Sequence, residues 1–369
     1  MDDAYLVRNS STLPSPALLV YPEKIRRNTT LAISIAGSTE RLRPHVKTHK
    51  TAQIVQLQLE AGISRFKCAT IAEAEMLAEC GVRDVLIAYQ LVGPNIIRLI
   101  ELCKEYRDVS FKVLVDDRCA AAGLSEKFAL ADLEIEVLLD IDPGMGRTGV
   151  APDGSAAEFY LELGKLKGII PGGFHCFDGH NNQKDPDRRM SAAKECMAIL
   201  TRLKDKVERT GGKVPRMVVG GTSMFPCYAK YEHTELSPGT CFLQDWNYLE
   251  RYKDMPFQPA ALLFSRIISK PGVGRITLDT GCKAIASDPP GERGIVYSAA
   301  GFKSLFQSEE HWVFEADESE NYDVGDELYI LPTHICPTFA LHQRVYVIDE
   351  SGRWVDSWIV TARDRELTV

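Results

Sequence analysis

Arg43-Pro44-His45-Val46-Lys47-Thr48-His49-Lys50 gathers three cations and two histidines at the end of a run, Leu42–Lys47, that has the place of a buried strand. Charge is costly to collect at such a place. An anionic or covalently bound group is the expected reason for it. Outward from this stretch, short apolar runs alternate with segments of helical period from Ala17 to about Thr240, as βαβ units do. The strand candidates are Ala17–Tyr21, Leu42–Lys47, Phe66–Thr70, Asp84–Tyr89, Phe111–Asp116, Glu134–Asp142, Ile169–Phe177 and Met217–Thr222. Helical patterns fall at Lys50–Ala61, Ile71–Cys80, Asn95–Tyr106 and Arg188–Thr210. Eight strands with intervening helices predict an α/β fold, a (β/α)8 TIM barrel more than an open sheet. Polar residues collect at the carboxyl ends of these strands, where a barrel keeps its working groups: Arg43, His45, Lys47 and His49, then Asp140, Asp142 and Arg147, then His175, Asp178 and His180, then Gly220, Gly221 and Thr222.

After about Pro256 the texture changes to short alternating runs broken by turn residues, at Leu262–Ser269, Arg275–Asp279, His311–Ala316, Asp326–Leu331 and Arg344–Ile348. This predicts a C-terminal all-β domain over 256–369, behind a barrel over 1–255 whose first residues could join the β domain. The 369 residues suffice for both. Apolar residues at 45% and charged residues at 25% are those of a soluble globular chain with a large core. A net charge of -8 argues against nucleic acid, which needs a basic face. No stretch reads as a signal peptide or a membrane span, and the ten cysteines form no CxxC pair, so a cytoplasmic protein with reduced thiols is expected.

Lys47 has the setting of a reactive amine, since burial and neighbouring cations lower an amine's pKa and allow it to condense with an aldehyde. A solvated basic loop is the plain alternative. Gly220-Gly221-Thr222 and Ser237-Pro238-Gly239-Thr240 offer backbone N–H groups and hydroxyls to a phosphate at the late-barrel positions where such sites recur, though either could be a simple turn.

These stretches carry a resemblance. Pro44-His45-Val46-Lys47-Thr48-His49-Lys50, Ala72-Glu73-Ala74-Glu75, Gly144-Met145-Gly146-Arg147-Thr148-Gly149, Asp178-Gly179-His180, the two small-residue turns and Pro332-Thr333-His334-Ile335-Cys336-Pro337-Thr338 look like the D-threonine aldolase and D-serine dehydratase family, in order over nearly the whole chain. The resemblance implies an alanine-racemase-like barrel binding pyridoxal 5'-phosphate (PLP), a following β domain, a homodimer and a divalent metal (Zn, Mn or Co) beside the cofactor. It implies Lys47 as the Schiff-base lysine, with Gly221, Thr222, Gly239 and Thr240 around the phosphate. His334 and Cys336 resemble the family's metal pair. Two residues apart, they would share one face of a strand and leave coordination positions open on a zinc-like ion.

A bound cation would let a β-hydroxyl lose its proton or leave, beside an α-carbon whose charge PLP stores. The expected activity is that of a lyase on small β-hydroxy-D-amino acids. Retro-aldol cleavage gives glycine and an aldehyde; dehydration gives a keto acid and ammonia. An H-x-C pair resembles the dehydratases and H-x-D the aldolases. The stretch Lys67-Cys68-Ala69-Thr70-Ile71-Ala72-Glu73 and the turn Glu309-Glu310-His311 resemble D-threonine-aldolase-like chains, although Ala69 stands near where those often carry glutamine. His180 is the candidate general base, or else a loop histidine near a helix start. Arg147 is placed to hold cofactor or substrate carboxylate, or to anchor its loop. A racemase or a non-catalytic PLP carrier on the same barrel are the alternatives.

Overall fold

The computed structural model describes residues 5–288 and 290–368. The strands are β1 (Ala17–Val20), β2 (Arg65–Cys68), β3 (Asp84–Gln90), β4 (Ser110–Val115), β5 (Ile135–Ile141), β6 (Ile169–Cys176), β7 (Met217–Val219), β8 (Thr234–Leu236), β9 (Ala261–Gly272), β10 (Arg275–Leu278), β11 (Gly294–Val296), β12 (Phe302–Gln307), β13 (Trp312–Ala316), β14 (Glu327–Pro332), β15 (Arg344–Ile348) and β16 (Trp354–Ile359). The helices are α1 (Pro22–Ala36), α2 (Ala52–Glu60), α3 (Ile71–Glu79), α4 (Pro94–Glu105), α5 (Arg118–Leu130), α6 (Gly154–Leu163), α7 (Pro186–Arg209), α8 (Phe225–Tyr228), α9 (Trp246–Arg251) and α10 (Ile335–Leu341). Two compact units divide the described residues: 32–47, 59–239 and 364–368 in one, 5–31, 48–58 and 240–363 in the other.

In the first unit β2 to β8 pair in parallel and in chain order. Residues 42–45 link the two edges of this sheet, Leu42 bridging Leu236 and His45 bridging Lys67. The eighth stave is therefore present without a full ladder. Pro44 has no N–H to give, so Arg43 N donates to Leu236 O, His45 N to Pro238 O and Lys67 N to Pro44 O, each at 2.8 Å.

One strand expectation fails. Ala17–Tyr21 does not enter the barrel; β1 pairs antiparallel with β9 and parallel with β15 in the other unit. All four of its residues are buried, and such a run reads alike in a barrel and in any sheet covered on both faces. In its stead β8, three residues long, closes the ring together with residues 42–45.

The barrel interior is layered along its strands. At the amino end Arg43 bonds Asp84 at 2.7 Å and Glu235 at 2.6 Å, Lys112 bonds Asp84 at 2.8 Å, and Arg216 pairs with Glu136. Two residues further along lie Leu86, Leu114, Leu138 and Val218, a dry apolar layer. Beyond that layer, toward the carboxyl ends, come Asp140 and His175. The apolar layer separates these charged groups from Asp140 and His175 at the carboxyl end.

The second unit is built on the path β12-β13-β10-β9-β1-β15-β16, with β14 pairing β9 and β11. Its main core surrounds the fully buried Trp312, with Leu18, Val20, Ile267, Phe314, Ile330 and Val345.

Candidate active site

In the barrel unit the chain leaves its eighth stave through a short 3-10 turn, Val46–Thr48, which turns Lys47 outward. Arg43 and His45 are buried while Lys47 is exposed. Its Nζ lies 5.8 Å from the centre of the Phe177 ring, and Arg147 stacks its guanidinium 4.8 Å from the same ring. One aromatic at the end of β6 thus gathers both cations.

Arg147 rides on a loop fixed at several points. Asp142 Oδ1 accepts from Gly144 N at 2.9 Å, Met145 N at 2.8 Å and Gly146 N at 3.2 Å. Thr148 donates to Asp140 at 2.9 Å and Gly149 N to Asp116 at 2.8 Å. Gly149 has φ +100, and a Cβ there would come within 2.6 Å of Asp142 N, so only glycine closes this loop.

His180 follows β6 on the loop Asp178–Asn182 and is exposed. A Cβ on Gly144 would lie 3.8 Å from its Nε2, which brings the base candidate and the arginine loop together. Beneath it Asp178 is fully buried, accepts from Tyr228 Oη at 2.6 Å, and is pushed up from the ordinary carboxylate range by burial. The two small-residue turns also meet, since Gly239 N donates to Thr222 Oγ1 at 3.1 Å.

The sequence reading named Asp140 and His175 only as polar strand ends and gave Lys67 no role; the structure joins them. Lys67 Nζ lies 3.4 Å from His175 Nε2, and His175 Nδ1 lies 2.7 Å from Asp140 Oδ1. Lys67 is 2% exposed. The one sign available beforehand was its place as a charged residue in the apolar run of β2.

In the second unit His334 and Cys336 do not share a strand. Pro332 ends β14, His334 takes extended backbone as the N-cap of α10, and Cys336 lies in that helix's first turn. Pro337 fits there because the first-turn N–H groups of a helix have no partner within it. The two side chains still meet, for Cys336 hydrogen-bonds the imidazole. Asp288 holds His334 Nδ1 at 2.6 Å. Burial alone would lower His334; Cys336 and Asp288 outweigh it and hold the imidazole up at about 9. Cys336 Sγ also lies 3.5 Å from Thr48 Oγ1 and 3.7 Å from Thr240 Oγ1. Between the two candidate ligands, Ile335 N donates to Asp245, which also accepts from Tyr248 N at 3.0 Å. Asp245 and Asp288 escaped the sequence reading because they lie far from the pair along the chain. Glu309 and Glu310 bond Lys283 on the surface.

The family profile described as "Alanine racemase, N-terminal domain" matches residues 20–244, and that described as "Putative serine dehydratase domain" matches residues 260–348. This chain belongs to the alanine racemase N-terminal domain family. Among curated members, a D-threonine aldolase of an Arthrobacter species is 28% identical, over 87% of this chain and 85% of that one. A 3-hydroxy-D-aspartate aldolase of Paracoccus denitrificans is 27% identical, over 97% and 94%. Of solved structures, the D-threonine aldolase from Filomicrobium marinum superposes with a TM-score of 0.89 at 26% identity, covering 96% of both chains. A D-threo-3-hydroxyaspartate dehydratase, solved as a cysteine-to-alanine variant in the metal-free form, gives 0.82 at 23% identity over 94% and 97%, a likeness of fold. The architecture is the alanine-racemase-like fold with an all-β C-terminal sheet.

The residues of this alanine racemase family member fit a phosphorylated aldehyde cofactor. Lys47 offers an exposed amine, Arg147 a fixed guanidinium, and Gly221 bare backbone, where a Cβ would come within 2.9 Å of Phe177. They fit a divalent cation in part. A thiol and an imidazole are a sound pair for a zinc-like ion, and no third His, Cys, Asp or Glu joins them among the described residues. The remaining positions would fall to water or substrate.

His49, 1% exposed, is pushed down to about 3 by burial, which outweighs its bond from Thr51 N at 3.2 Å. The folded protein therefore refuses a proton that the unfolded chain accepts near 6.5. Stability is lost as pH falls from about 6.5 toward 3. Asp84, held down at about 2 by Arg43 and Lys112 against its burial, adds a further loss below about 4. In urea titrations between pH 7 and 4, His49→Gln is expected to flatten the upper part of this decline; an unchanged slope would show that His49 does not cause it.

Proposed function

We propose that the protein is a PLP- and divalent-metal-dependent lyase that cleaves β-hydroxy-D-amino acids by retro-aldol reaction to glycine and an aldehyde. The observation that carries this reading is the pair of outward cations Lys47 and Arg147 on Phe177, beside His180, in a chain whose curated relatives include D-threonine and 3-hydroxy-D-aspartate aldolases. Lys47 would hold the cofactor covalently, and Gly221, Thr222, Gly239 and Thr240 its phosphate. PLP, when bound, draws off the electron pair left on the α-carbon. A cation on His334 and Cys336, when bound, makes a hydroxyl more acidic.

The chain's own groups do the rest. Arg147 sits on a fixed loop and can clamp a carboxylate in its planar fork, which orients the substrate before any bond moves. His180 stands exposed above that loop and can take the β-hydroxyl proton, so that the Cα–Cβ bond breaks with its electrons left on Cα. A homodimer and a cytoplasmic location belong to this proposal through family resemblance.

Cys336 favours a second reading, dehydration to a keto acid and ammonia, because an H-x-C pair resembles the dehydratases. A product assay on D-threonine, D-serine and D-3-hydroxyaspartate separates the two. Glycine with aldehyde supports the aldolase, ammonia with keto acid supports the dehydratase, and neither product from any D-substrate removes the lyase reading. His180→Gln is expected to lower kcat about 10²–10⁴-fold with the bound cofactor's absorbance unchanged; wild-type turnover would dismiss it as the base.

A further inference from the structure

We propose that Asp245 and Thr338 are positioning residues for His334 and Cys336: together they clamp the peptide unit that joins His334 to Ile335, and so fix how the two candidate ligands stand to each other. The inference rests on the reading of that pair as metal ligands.

The need for a clamp begins at the start of α10. A residue at an N-cap usually turns a side-chain oxygen back onto one of the first-turn N–H groups, which have no partner inside the helix. At α10 that place is taken by His334, whose side chain makes no capping bond and meets Asp288 and Cys336 instead. A ring offered to an ion cannot also cap its helix. Pro337 brings no N–H to that turn, and Ile335 N is left to be met from another segment.

Asp245 meets it. Its two carboxylate oxygens are divided between two helices: Oδ1 accepts from Tyr248 N at 3.0 Å, which caps α9, and Oδ2 accepts from Ile335 N at 3.2 Å. The carbonyl of the same peptide unit, His334 O, accepts from Thr338 Oγ1 at 2.8 Å. Thr338 Oγ1 in turn accepts from Ala286 N at 3.1 Å, on the segment that leads to Asp288. Asp245 is 1% exposed and Thr338 0%, so water hardly competes for these bonds. A peptide unit is planar, so holding both its N–H and its C=O fixes ψ of His334 and φ of Ile335. These torsions lie on the short backbone path between the imidazole and the thiol. An unclamped peptide would leave the pair to be ordered when an ion binds, and that ordering would be paid out of affinity.

The test reads the thiol itself. Full-length protein is alkylated with iodoacetamide at a series of chelator-buffered Zn²⁺ concentrations, and protection of Cys336 is quantified by peptide mass spectrometry. Asp245→Asn is the selective variant. Asn caps a helix about as well as Asp, so α9 keeps its cap at Tyr248 N, while an NH₂ group replaces the oxygen that faced Ile335 N. Thr338→Val opens the other end, since it keeps the shape and loses the hydroxyl. In each, the Zn²⁺ concentration that half-protects Cys336 is expected to rise about 10–100-fold, the range for losing a group that supports a ligand. Thr338→Ser, which retains the hydroxyl, is expected to match the wild type. Thermal unfolding of the zinc-free protein shows which variants fold, and either of the first two carries the test if the other does not. Wild-type protection in a folded Asp245→Asn or Thr338→Val, or weakened protection in Thr338→Ser, overturns the clamp. Failure of Zn²⁺ to protect Cys336 in the wild type overturns the reading of the metal pair itself, and the clamp with it.

Discussion

Lys47→Ala is expected to abolish covalent PLP and to lower turnover of D-threonine or D-3-hydroxyaspartate at least about 10³-fold, a loss in the range seen when a covalent or proton-transferring group is removed. The size follows from how little else could substitute. Lys47 is the exposed amine over Phe177, and Lys67 is buried behind His175. Borohydride fixation and peptide mapping read the result directly: in the wild type the adduct falls on Lys47, and in the variant no stoichiometric adduct forms. An adduct on Lys50 in the wild type would move the site three residues and undo the assignment. Lys50 has left-handed backbone, φ 51, and its carbonyl accepts from Ala362 N, so its backbone is committed to packing.

The second large effect is expected at His334 and Cys336, the proposed metal pair. His334→Ala and Cys336→Ala each leave one candidate ligand, and metal affinity should fall by more than about 100-fold, beyond the 10–100-fold typical for loss of a group that only supports a ligand. Asp288→Asn belongs to that milder class: its bond to His334 Nδ1 would leave the other ring nitrogen for an ion, and about 10–100-fold weaker binding is expected. Equilibrium dialysis against a competing chelator measures all three. In parallel, chelation should remove activity and Zn²⁺, Mn²⁺ or Co²⁺ restore it. Full activity after exhaustive chelation would bring back the racemase alternative, which needs no metal.

Much of the barrel was legible because strands buried on both faces leave long apolar runs, and helices packed on them leave a 3.6 period. α3 and α4 begin within a residue of their predicted starts. β1 misled for the same reason, since its four buried residues carry no sign of which sheet they join. At three residues β8 was too short to show a pattern. Of the candidate site residues, Lys47 was legible from its clustering with Arg43, His45 and His49, and His334 and Cys336 from the family resemblance. The residues bonded to candidate site groups from far along the chain were not legible. Asp288, Asp245 and Lys67 are tied to their partners across 46, 90 and 108 positions, and nothing in the local sequence announces such ties.

The placement of β1 also bears on how the protein is made. Its backbone partners begin at Ala261 and end at Val347, so a ribosome that has finished β1 must add roughly 240 residues before the first partner exists. At bacterial or eukaryotic elongation rates that is on the order of ten to fifty seconds. Throughout that wait the sequence Ala-Leu-Leu-Val has no ladder to join, while β2 to β8 emerge in the order in which they pair. Arrest of synthesis after Leu236 should therefore leave every strand of the barrel sheet made while the Ala17–Val20 strand still lacks its ladder, an apolar segment exposed for the whole of that interval.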